Sequence, residues 1–175
     1  MLVTYENLKI REALPEDAAL LCRWWNDGDV MAHAGFPNGL GTDEEAVVRQ
    51  LAQEPSVRHI IEIDGAAAGE MSCRNKGEGT AEIGIKICDF GRQEKGHGTL
   101  LLKMMITRLF SQGYEKIVLD TNVDNLRAQH VYEKIGFTRL RTRRDSWIDQ
   151  LGRPQSFIDY ELLKEKFTPL DIFSD

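Results

Sequence analysis

Near the middle of the chain, a short apolar strand leads through a glycine-bearing turn directly into a helix. The strand is predicted at residues 83–88, the turn at 93–98 and the helix at about 99–110. A helix N-terminus leaves several backbone N–H groups without carbonyl partners, and together with the positive end of the helix dipole these groups attract phosphate or pyrophosphate. Gly96 and Gly98 let such a ligand approach the backbone, because neither residue carries a Cβ atom. We call residues 93–98 the phosphate turn.

A second informative segment follows about thirty residues later and has the pattern of an amphipathic helix at residues 125–135. We expect Asn122 or Asp124 to cap this helix and Gly136 to end it, since glycine often terminates helices. Four side chains at i, i+3, i+4 and i+7 share one face of the helix, namely Ala128, Val131, Tyr132 and Ile135.

The remaining elements alternate between strand and helix patterns. Asp64-Gly65 is the strongest hairpin signal, because this pair favours the tight turns that join antiparallel strands. In chain order we predict a strand at 8–13, helices at 15–25 and 42–53, strands at 58–63, 66–74, 80–88 and 116–120, and a terminal hairpin with strands at 137–147 and 155–163. This order predicts an α/β fold with one mixed, mostly antiparallel sheet and helices on both faces, formed by a single domain over residues 1–175.

Together, the phosphate turn and the helix segment resemble the GNAT superfamily of acyl-CoA-dependent N-acyltransferases. Residues 93–98 match the family's pyrophosphate loop, Gln/Arg-x-x-Gly-x-Gly/Ala. Residues 125–137 match its segment Asn-x-x-Ala-x-x-hydrophobic-Tyr-x-x-hydrophobic-Gly-Phe. The specific part covers about residues 79–140, and the early segment Trp24–Asp27 looks like the branch that contains ribosomal-protein N-terminal acetyltransferases.

The resemblance implies transfer of an acetyl group from acetyl-CoA to a primary amine of a small molecule or a protein N-terminus, by direct attack and without a covalent enzyme intermediate. It also implies that the sheet is splayed where the cofactor enters. The residues that it assigns to acetyl-CoA are Ile85, Ile87, Gln93, Glu94, Lys95, Gly96, His97, Gly98, Thr99 and Asn125. The side chain of His97 is expected to face solvent, and Asn125 can bind the pantetheine arm, cap its helix, or do both.

Tyr132 is the candidate acid, because the resembled family places a tyrosine at this position of the motif, beside the thioester sulfur. A phenol is a reasonable proton donor to a leaving thiolate, since their reference pKa values lie within about two units. The alternative is a core tyrosine on an amphipathic helix.

Two carboxylates are candidates for the general base that deprotonates the amine. Glu82 precedes the phosphate turn on a strand, where period-2 alternation puts it on the face opposite Ile83. Asp120 closes the next strand at its C-terminal end, where α/β sheets bind ligands. The alternatives are an exposed charge for Glu82, a loop-capping acid for Asp120, and an amine that arrives already neutral.

Composition excludes several other classes of protein. The net charge of −6 disfavours nonspecific nucleic-acid binding, which needs a basic surface. No apolar run approaches the length of a membrane-spanning helix, and no signal peptide is evident. The three cysteines form no Cys-x-x-Cys pair and indicate reduced thiols in a cytoplasmic protein, Cys88 being a small core residue rather than a nucleophile. The histidines have no metal-ligand spacing, so we expect no metal.

The acceptor is expected to be a cationic primary amine that binds between residues 34–42 and the terminal hairpin around Trp147. We call residues 34–42 the glycine loop; it contains Gly35, Gly39 and Gly41, and we expect it to be mobile enough to close over the acceptor. The acids that bracket the loop would attract a cation, unless they only cap helices: Asp27, Asp29, Asp43, Glu44 and Glu45.

Three functions remain open at this point. The first is the acetyltransferase, acting as a monomer or as a homodimer. The second is a catalytically inactive acyl-CoA-binding sensor or assembly domain, which would use the same phosphate turn. The third is a nucleotide-binding regulatory domain, which is disfavoured because neither a Walker lysine-serine pair nor an early Gly-x-Gly-x-x-Gly is present.

Overall fold

The computed structural model describes residues 2–172, which form one eight-stranded sheet with helices packed on it. The strands are β1 (Leu2–Tyr5), β2 (Leu8–Glu12), β3 (Ser56–Ile63), β4 (Ala66–Gly77), β5 (Thr80–Ile87), β6 (Lys116–Asn122), β7 (Thr138–Ile148) and β8 (Pro154–Leu163). The α-helices are α1 (Ala18–Trp25), α2 (Gly28–Met31), α3 (Glu44–Gln53), α4 (His97–Ser111) and α5 (Leu126–Ile135).

The sheet opens between its two central strands. The strand order is β1-β2-β3-β4-β5-β6-β8-β7, and every neighbouring pair is antiparallel except β5 and β6. These two strands are parallel and pair only from Thr80–Glu82 to Lys116–Val118. Beyond Glu82 the edge of β5 is unpaired, so a gap separates the strands. The prediction of a mixed, mostly antiparallel sheet is confirmed.

Each face of the sheet carries its own helices and its own apolar core. Leu101 and Met105 of α4 and Ile135 of α5 pack on one face, in a cluster that includes Ile83 of β5. Leu21 of α1 belongs to a second cluster on the other face, together with residues of α2 and α3. Burial of these large side chains is the main favourable contribution to stability, and the prediction of helices on both faces is confirmed.

Most element boundaries lie within about three residues of the predictions, and four differences bear on the fold or the site. β1 and the four-residue helix α2 were not predicted. α4 begins at His97, two residues before the predicted Thr99. Asn122 and Asp124 do not cap α5; instead Asn125 does, as the other interpretation of this residue predicted, and its side chain accepts a hydrogen bond from the Ala128 N–H group at 3.1 Å.

The glycine loop is closely packed, and this gives its glycines a different role from the predicted one. A Cβ atom at Gly35 would lie 1.8 Å from the ring of Trp147, and one at Gly39 would lie 2.2 Å from the carbonyl oxygen of Asn26. Both residues also have positive φ angles, +86° and +73°. These glycines therefore permit close contact and left-handed turns.

Within residues 2–172, no helix has both the length and the apolar composition needed to cross a membrane.

Candidate functional site

A cleft of about 450 Å³ lies in the gap between β5 and β6, and we call it the inner cleft. Most of the predicted site residues line it: Ile85, Ile87, Gln93, Glu94, Gly96, Gly98, Thr99, Asp120, Asn125 and Tyr132. Three do not, namely Glu82, Lys95 and His97. The two sequence segments that are thirty residues apart thus meet around one cavity.

One end of the inner cleft is the N-terminus of α4. Gly96 is the residue before the helix and has a φ angle of +79°, a left-handed conformation that favours glycine. The first N–H groups of the helix have no carbonyl partners within it, and the helix dipole adds positive potential there. This end of the cleft can hold an anion.

The N-terminal end of the phosphate turn is held in place by side-chain hydrogen bonds and an ion pair. The Gln93 side-chain amide donates a hydrogen bond to the carbonyl oxygen of Ile87, at 2.9 Å. Arg127 of α5 donates to the side-chain oxygen of Gln93 at 2.8 Å and pairs with Glu94 at 3.3 Å. Arg127 also lines the inner cleft, and we did not predict it, because its contact with the turn depends on how α5 packs.

The unpaired edge of β5 offers backbone groups to the same cleft. The N–H group of Cys88 donates to Ala68 of β4 at 2.8 Å, so the backbone groups of Cys88 point toward β4. Because successive residues of a strand alternate in direction, Ile85 and Ile87 direct theirs toward the gap. The backbone groups of Ile85 and the N–H group of Ile87 can bind an extended, amide-containing ligand, whereas the Ile87 carbonyl oxygen already accepts from Gln93.

Two other predicted residues behave differently. The ring of His97 is half-buried, with its Nδ1 atom 3.2 Å from the carbonyl oxygen of Arg92. The expectation that His97 faces solvent was therefore wrong, since its ring instead contacts the backbone before the turn. Lys95 is exposed and lies outside the cleft.

Tyr132 lies deep in the inner cleft. It is 6% exposed, and its ring packs against Phe137 and Tyr160 with centroid distances of 5.8 and 5.7 Å. Burial and the nearby charge of Asp120 raise the pKa of Tyr132 above its usual value of about 10. The phenol is therefore protonated at neutral pH and available as a donor. Tyr132 is therefore a core residue, as one interpretation predicted, and it also lines the cleft, while its role as the acid stays a prediction.

A second cavity, of about 500 Å³, lies on the other face of the sheet, and we call it the outer cleft. Glu82 and Gly84 line it, and on β5 they alternate with Ile83, which belongs to the core under α4. The inner and outer clefts share three lining residues: Ile83, Gly84 and Asp120. The two cavities therefore meet at the opening of the sheet, between Gly84 of β5 and Asp120 of β6.

The two candidate bases occupy different positions at this junction. Asp120 lines both clefts, whereas Glu82 lines only the outer cleft and pairs with Lys76 at 3.2 Å. Although 53% of the Asp120 side chain is accessible, desolvation by the surrounding protein raises the pKa of this carboxyl group. The ion pair with Arg143, at 2.7 Å, acts in the opposite direction and is outweighed.

The arginines of the outer cleft are neutralised by carboxylates. Arg143 lies between Asp120 and Asp159, with its Nε atom 2.9 Å from Asp159, and Arg141 pairs with the same Asp159 at 2.7 Å. Arg143 and Asp159 were not predicted as site residues, since the pairing of β6, β7 and β8 brings them together. Their charges largely cancel, which leaves the outer cleft without a free positive charge from these two arginines.

Of the acids that bracket the glycine loop, only Asp29 lines a cleft. Asp27 caps α2 by accepting from the N–H groups of Asp29 and Val30, and Asp43 caps α3 by accepting from Ala46. The alternative interpretation of these residues as helix caps is thus correct for Asp27 and Asp43. The carboxylates that face the junction come from the strands instead.

The cysteines do not have the properties of nucleophiles. Burial raises the pKa of Cys88 to about 12 and that of Cys73 to about 11, so both are thiols at neutral pH. Cys88 lies in the core, as predicted. Over residues 2–172, no three or more His, Cys, Asp or Glu side chains converge in a group that could hold a metal ion.

Comparison with known proteins identifies relatives of this chain. The acetyltransferase (GNAT) domain family matches residues 7–138, more than half of the chain. The aminoglycoside N(6')-acetyltransferase type 1 of Klebsiella pneumoniae is 26% identical over 154 residues, covering 78% of this chain and 77% of the relative.

Solved structures share the fold. The spermidine N-acetyltransferase from Vibrio cholerae, in complex with CoA and spermine, has a TM-score of 0.79 at 22% identity and covers 91% of this chain and 97% of its own. An acetyltransferase from Salmonella typhimurium with its cofactor acetyl-CoA has a TM-score of 0.72 at 20% identity. The match covers 95% of this chain and 99% of that protein's chain. These structures show the shared fold, and the family match shows that the chain belongs to the GNAT family and is an acetyl-CoA-dependent N-acetyltransferase.

Proposed function

We propose that this protein transfers the acetyl group of acetyl-CoA to a primary amine that is cationic in solution, by direct attack at the junction of the inner and outer clefts. The observation that carries the proposal is the meeting of the two clefts between Gly84 and Asp120. One substrate can then approach from each face of the sheet, and the amine and the thioester can be held together without an acyl-enzyme.

The inner cleft suits acetyl-CoA. The α4 N-terminus and Arg127 would bind the phosphate groups, while the open edge of β5 and Asn125 would bind the amide-containing arm. When bound, acetyl-CoA supplies an activated acyl group as a thioester. The cleft leads from the phosphate turn past Ile85 to Tyr132, so these residues lie in the order that an extended ligand of this kind requires.

The acceptor's charge is inferred from the outer cleft and from relatives. Glu82, Asp120 and Asp159 line this cleft together with Arg141 and Arg143, which leaves one excess negative charge in the lining, although Lys76 also pairs with Glu82. The relative from Klebsiella pneumoniae is named for aminoglycosides and the structure from Vibrio cholerae for spermidine, both of which carry amines that are protonated at neutral pH. An acidic cleft raises the local concentration of such cations.

We propose Asp120 as the general base. An ammonium group must lose a proton before it can attack, and Asp120 is the carboxylate that borders both substrates' cavities. Its raised pKa brings it closer to that of the amine, which makes it a better proton acceptor than an ordinary aspartate. Glu82 remains the alternative, acting from the outer cleft through water.

We propose Tyr132 as the donor to the leaving thiolate, coupled to Asp120. With Asp120 ionised, the pKa of Tyr132 is raised well beyond that of a thiol, so the phenol donates a hydrogen bond without losing its proton. Once Asp120 has accepted the amine proton, its negative charge is gone and the phenol becomes a stronger acid. Proton uptake at Asp120 would thus assist proton donation at Tyr132.

The proposal is tested with a panel of cationic, neutral and anionic amines assayed against acetyl-CoA, reading free thiol and product mass. We expect cationic primary amines to be turned over, with a KM that rises with ionic strength because salt screens the acidic cleft. The KM for acetyl-CoA should change less. Preference for an anionic or neutral acceptor would contradict the assigned charge, and binding of acetyl-CoA without turnover of any amine would favour the inactive sensor.

A further inference from the structure

We propose that Gln150 is a positioning residue for the acceptor, holding the glycine loop against the turn of the terminal hairpin. The inference rests on the proposed function and extends it: an acceptor that reaches the junction from the outer cleft would also contact the end of the inner cleft beyond that junction. That end is lined by Asp29 and His33 on one side and by Phe157 of β8 on the other. The glycine loop follows His33 in the chain, and the hairpin turn precedes Phe157, so Gln150 joins the two walls.

Gln150 uses its whole side-chain amide for this connection. Its Oε1 atom accepts a hydrogen bond from the N–H group of Asn38 at 3.0 Å, and its Nε2 atom donates one to the carbonyl oxygen of Gly39 at 2.7 Å. Its own backbone N–H group donates to the carbonyl oxygen of Gly35 at 3.4 Å. Gln150 therefore forms hydrogen bonds with three residues of the glycine loop.

Trp147 adds an apolar contact beside these hydrogen bonds. Its ring lies 5.5 Å from the ring of Phe36, centroid to centroid, and occupies the space that a side chain at position 35 would need. The contact explains why Gly35 is required, and it excludes water from one side of the connection. Trp147 and Gln150 together form the bridge between the hairpin and the loop.

The C-terminal end of the glycine loop, at Thr42, is held by other hydrogen bonds, which join it to Asn26. The side-chain amide of Asn26 donates to the carbonyl oxygen of Thr42 at 2.8 Å and accepts from the Thr42 N–H group at 2.8 Å. These bonds hold the loop to the end of α1 and do not reach the hairpin. The N–H group of Leu40 also donates to the carbonyl oxygen of Trp25, at 2.7 Å. Loss of Gln150 would therefore remove the hydrogen bonds between the loop and the hairpin, while those between the loop and α1 remain.

The chemical consequence concerns the acceptor and not acetyl-CoA. Asp29 and His33 lie just before the loop, and both hydrogen bonds of the Gln150 side chain go to the loop rather than to the phosphate turn. A looser loop should let Asp29 and His33 move, and this movement should weaken binding of the acceptor. The chemistry at Asp120 and Tyr132 should remain intact in the complexes that do form.

The test compares Gln150→Ala and Gln150→Glu with Leu151→Ala, an exposed neighbour in the same turn, as the matched control. Amide hydrogen exchange at Asn38 reports the connection itself, and isothermal titration with acetyl-CoA reports cofactor binding. Steady-state kinetics with the best cationic amine report the acceptor KM and kcat. Gln150→Glu keeps the acceptor for the Asn38 N–H group but cannot donate to Gly39.

We expect faster exchange at Asn38 in Gln150→Ala, an acceptor KM raised about fivefold, and unchanged kcat, pH profile and acetyl-CoA affinity. Gln150→Glu should lie between the wild type and Gln150→Ala, and Leu151→Ala should match the wild type. Unchanged exchange at Asn38 would show that Gln150 does not hold the loop. Faster exchange with an unchanged KM would refute the positioning role. If the wild type acetylates no amine, the proposed function fails, and the exchange at Asn38 still decides whether the connection exists.

Discussion

At the scale of single residues, the proposed chemistry needs two neighbouring groups in opposite protonation states. Asp120 must be ionised to accept a proton, and Tyr132 must be protonated to donate one. Desolvation raises the pKa of both groups, but their reference values are about six units apart, so both requirements are met at neutral pH. One environment thus supports an acid and a base together.

Substitution of Tyr132 by phenylalanine tests the donor. Phenylalanine keeps the ring contacts with Phe137 and Tyr160 and removes only the hydroxyl group. We expect kcat to fall by about ten- to ten-thousand-fold, the usual range for one acid–base group, with nearly unchanged acetyl-CoA affinity. An unchanged kcat, measured where chemistry limits the rate, would leave Tyr132 as a core residue alone.

Isosteric substitutions distinguish the two candidate bases. With Asp120 as the base, activity rises with pH as this carboxyl group ionises, so Asp120→Asn should lose the acid limb of the pH–rate profile. The control Glu82→Gln should keep that limb. The reverse pattern would make Glu82 the base, and retention of the limb in both variants would mean that the amine itself sets it.

The sequence motifs located the residues around the inner cleft well but could not supply their partners. The motifs specify which residue types stand at fixed spacings along the chain, and this is sufficient to identify Gly96, Asn125 and Tyr132 as residues of the cleft. Arg143 and Asp159 meet Asp120 only because β6, β7 and β8 pair in one particular register, and that register follows from the whole sheet. Arg127 likewise depends on the packing of α5 against the phosphate turn.

At the scale of elements, the N-terminus of α4 is the principal feature for cofactor binding. Gly98 has an ordinary helical φ angle, and a Cβ atom there would meet only Ile87, at an ordinary distance of 3.6 Å. The fold therefore tolerates a side chain at this position, and a larger residue would act mainly on the bound ligand. An acid in the first turn would even interact favourably with the helix dipole.

Gly98→Asp tests this element, with Gly98→Asn as a control of the same size without the charge. We expect Gly98→Asp to weaken acetyl-CoA binding by at least several-fold, and by more than Gly98→Asn does, because a carboxylate repels the phosphate groups. The melting temperature should not fall below that of Gly98→Asn. Calorimetry that gives wild-type affinity for Gly98→Asp would reject the site.

β3 contains a buried histidine that links stability to pH. His59 is 1% exposed, and neither ring nitrogen has a hydrogen-bond partner within residues 2–172. Burial lowers its pKa to about 4, from 6.5 in the unfolded chain. Between these values the unfolded state binds a proton that the folded state does not, so stability falls as the pH falls from 6.5 to 4.

His59→Leu should remove this dependence. We expect the wild type to lose about 3 kcal/mol more than His59→Leu across that range, at 1.36 kcal/mol for each pKa unit. Denaturant unfolding at several pH values measures it, and the exposed His130→Gln is the control. Parallel pH dependence in the wild type and His59→Leu would show that His59 is charged in the fold.

Most elements could be predicted because their signals are long or strong. The amphipathic face of α5 and the Asp64-Gly65 turn both led to correct elements. α2 could not be found, because four residues starting with glycine are too few for periodicity to be recognised. β1 is as short, and its pairing with β2 is what makes it a strand.

At the scale of the whole molecule, the reaction site is a consequence of incomplete pairing in the sheet. β5 and β6 pair over three residues each and then separate, and both clefts open at that separation. The opening of the sheet could be expected from the family resemblance, but the positions of the cavities could not. We infer that residues 2–172 act as one cooperative unit, since the site uses strands and helices from both halves of the chain.

The location of transfer can be tested by closing the junction of the clefts with Gly84→Val. A Cβ atom at Gly84 would lie 2.9 Å from the Ser72 hydroxyl oxygen, so valine would extend into the space that joins the two clefts. Acetyl-CoA affinity and the kcat for the best cationic amine should be measured on the same preparation. We predict acetyl-CoA affinity within a few-fold of wild type and a kcat reduced by about a hundredfold or more, because the amine no longer reaches the acyl group. A kcat close to the wild-type value would contradict transfer at this junction.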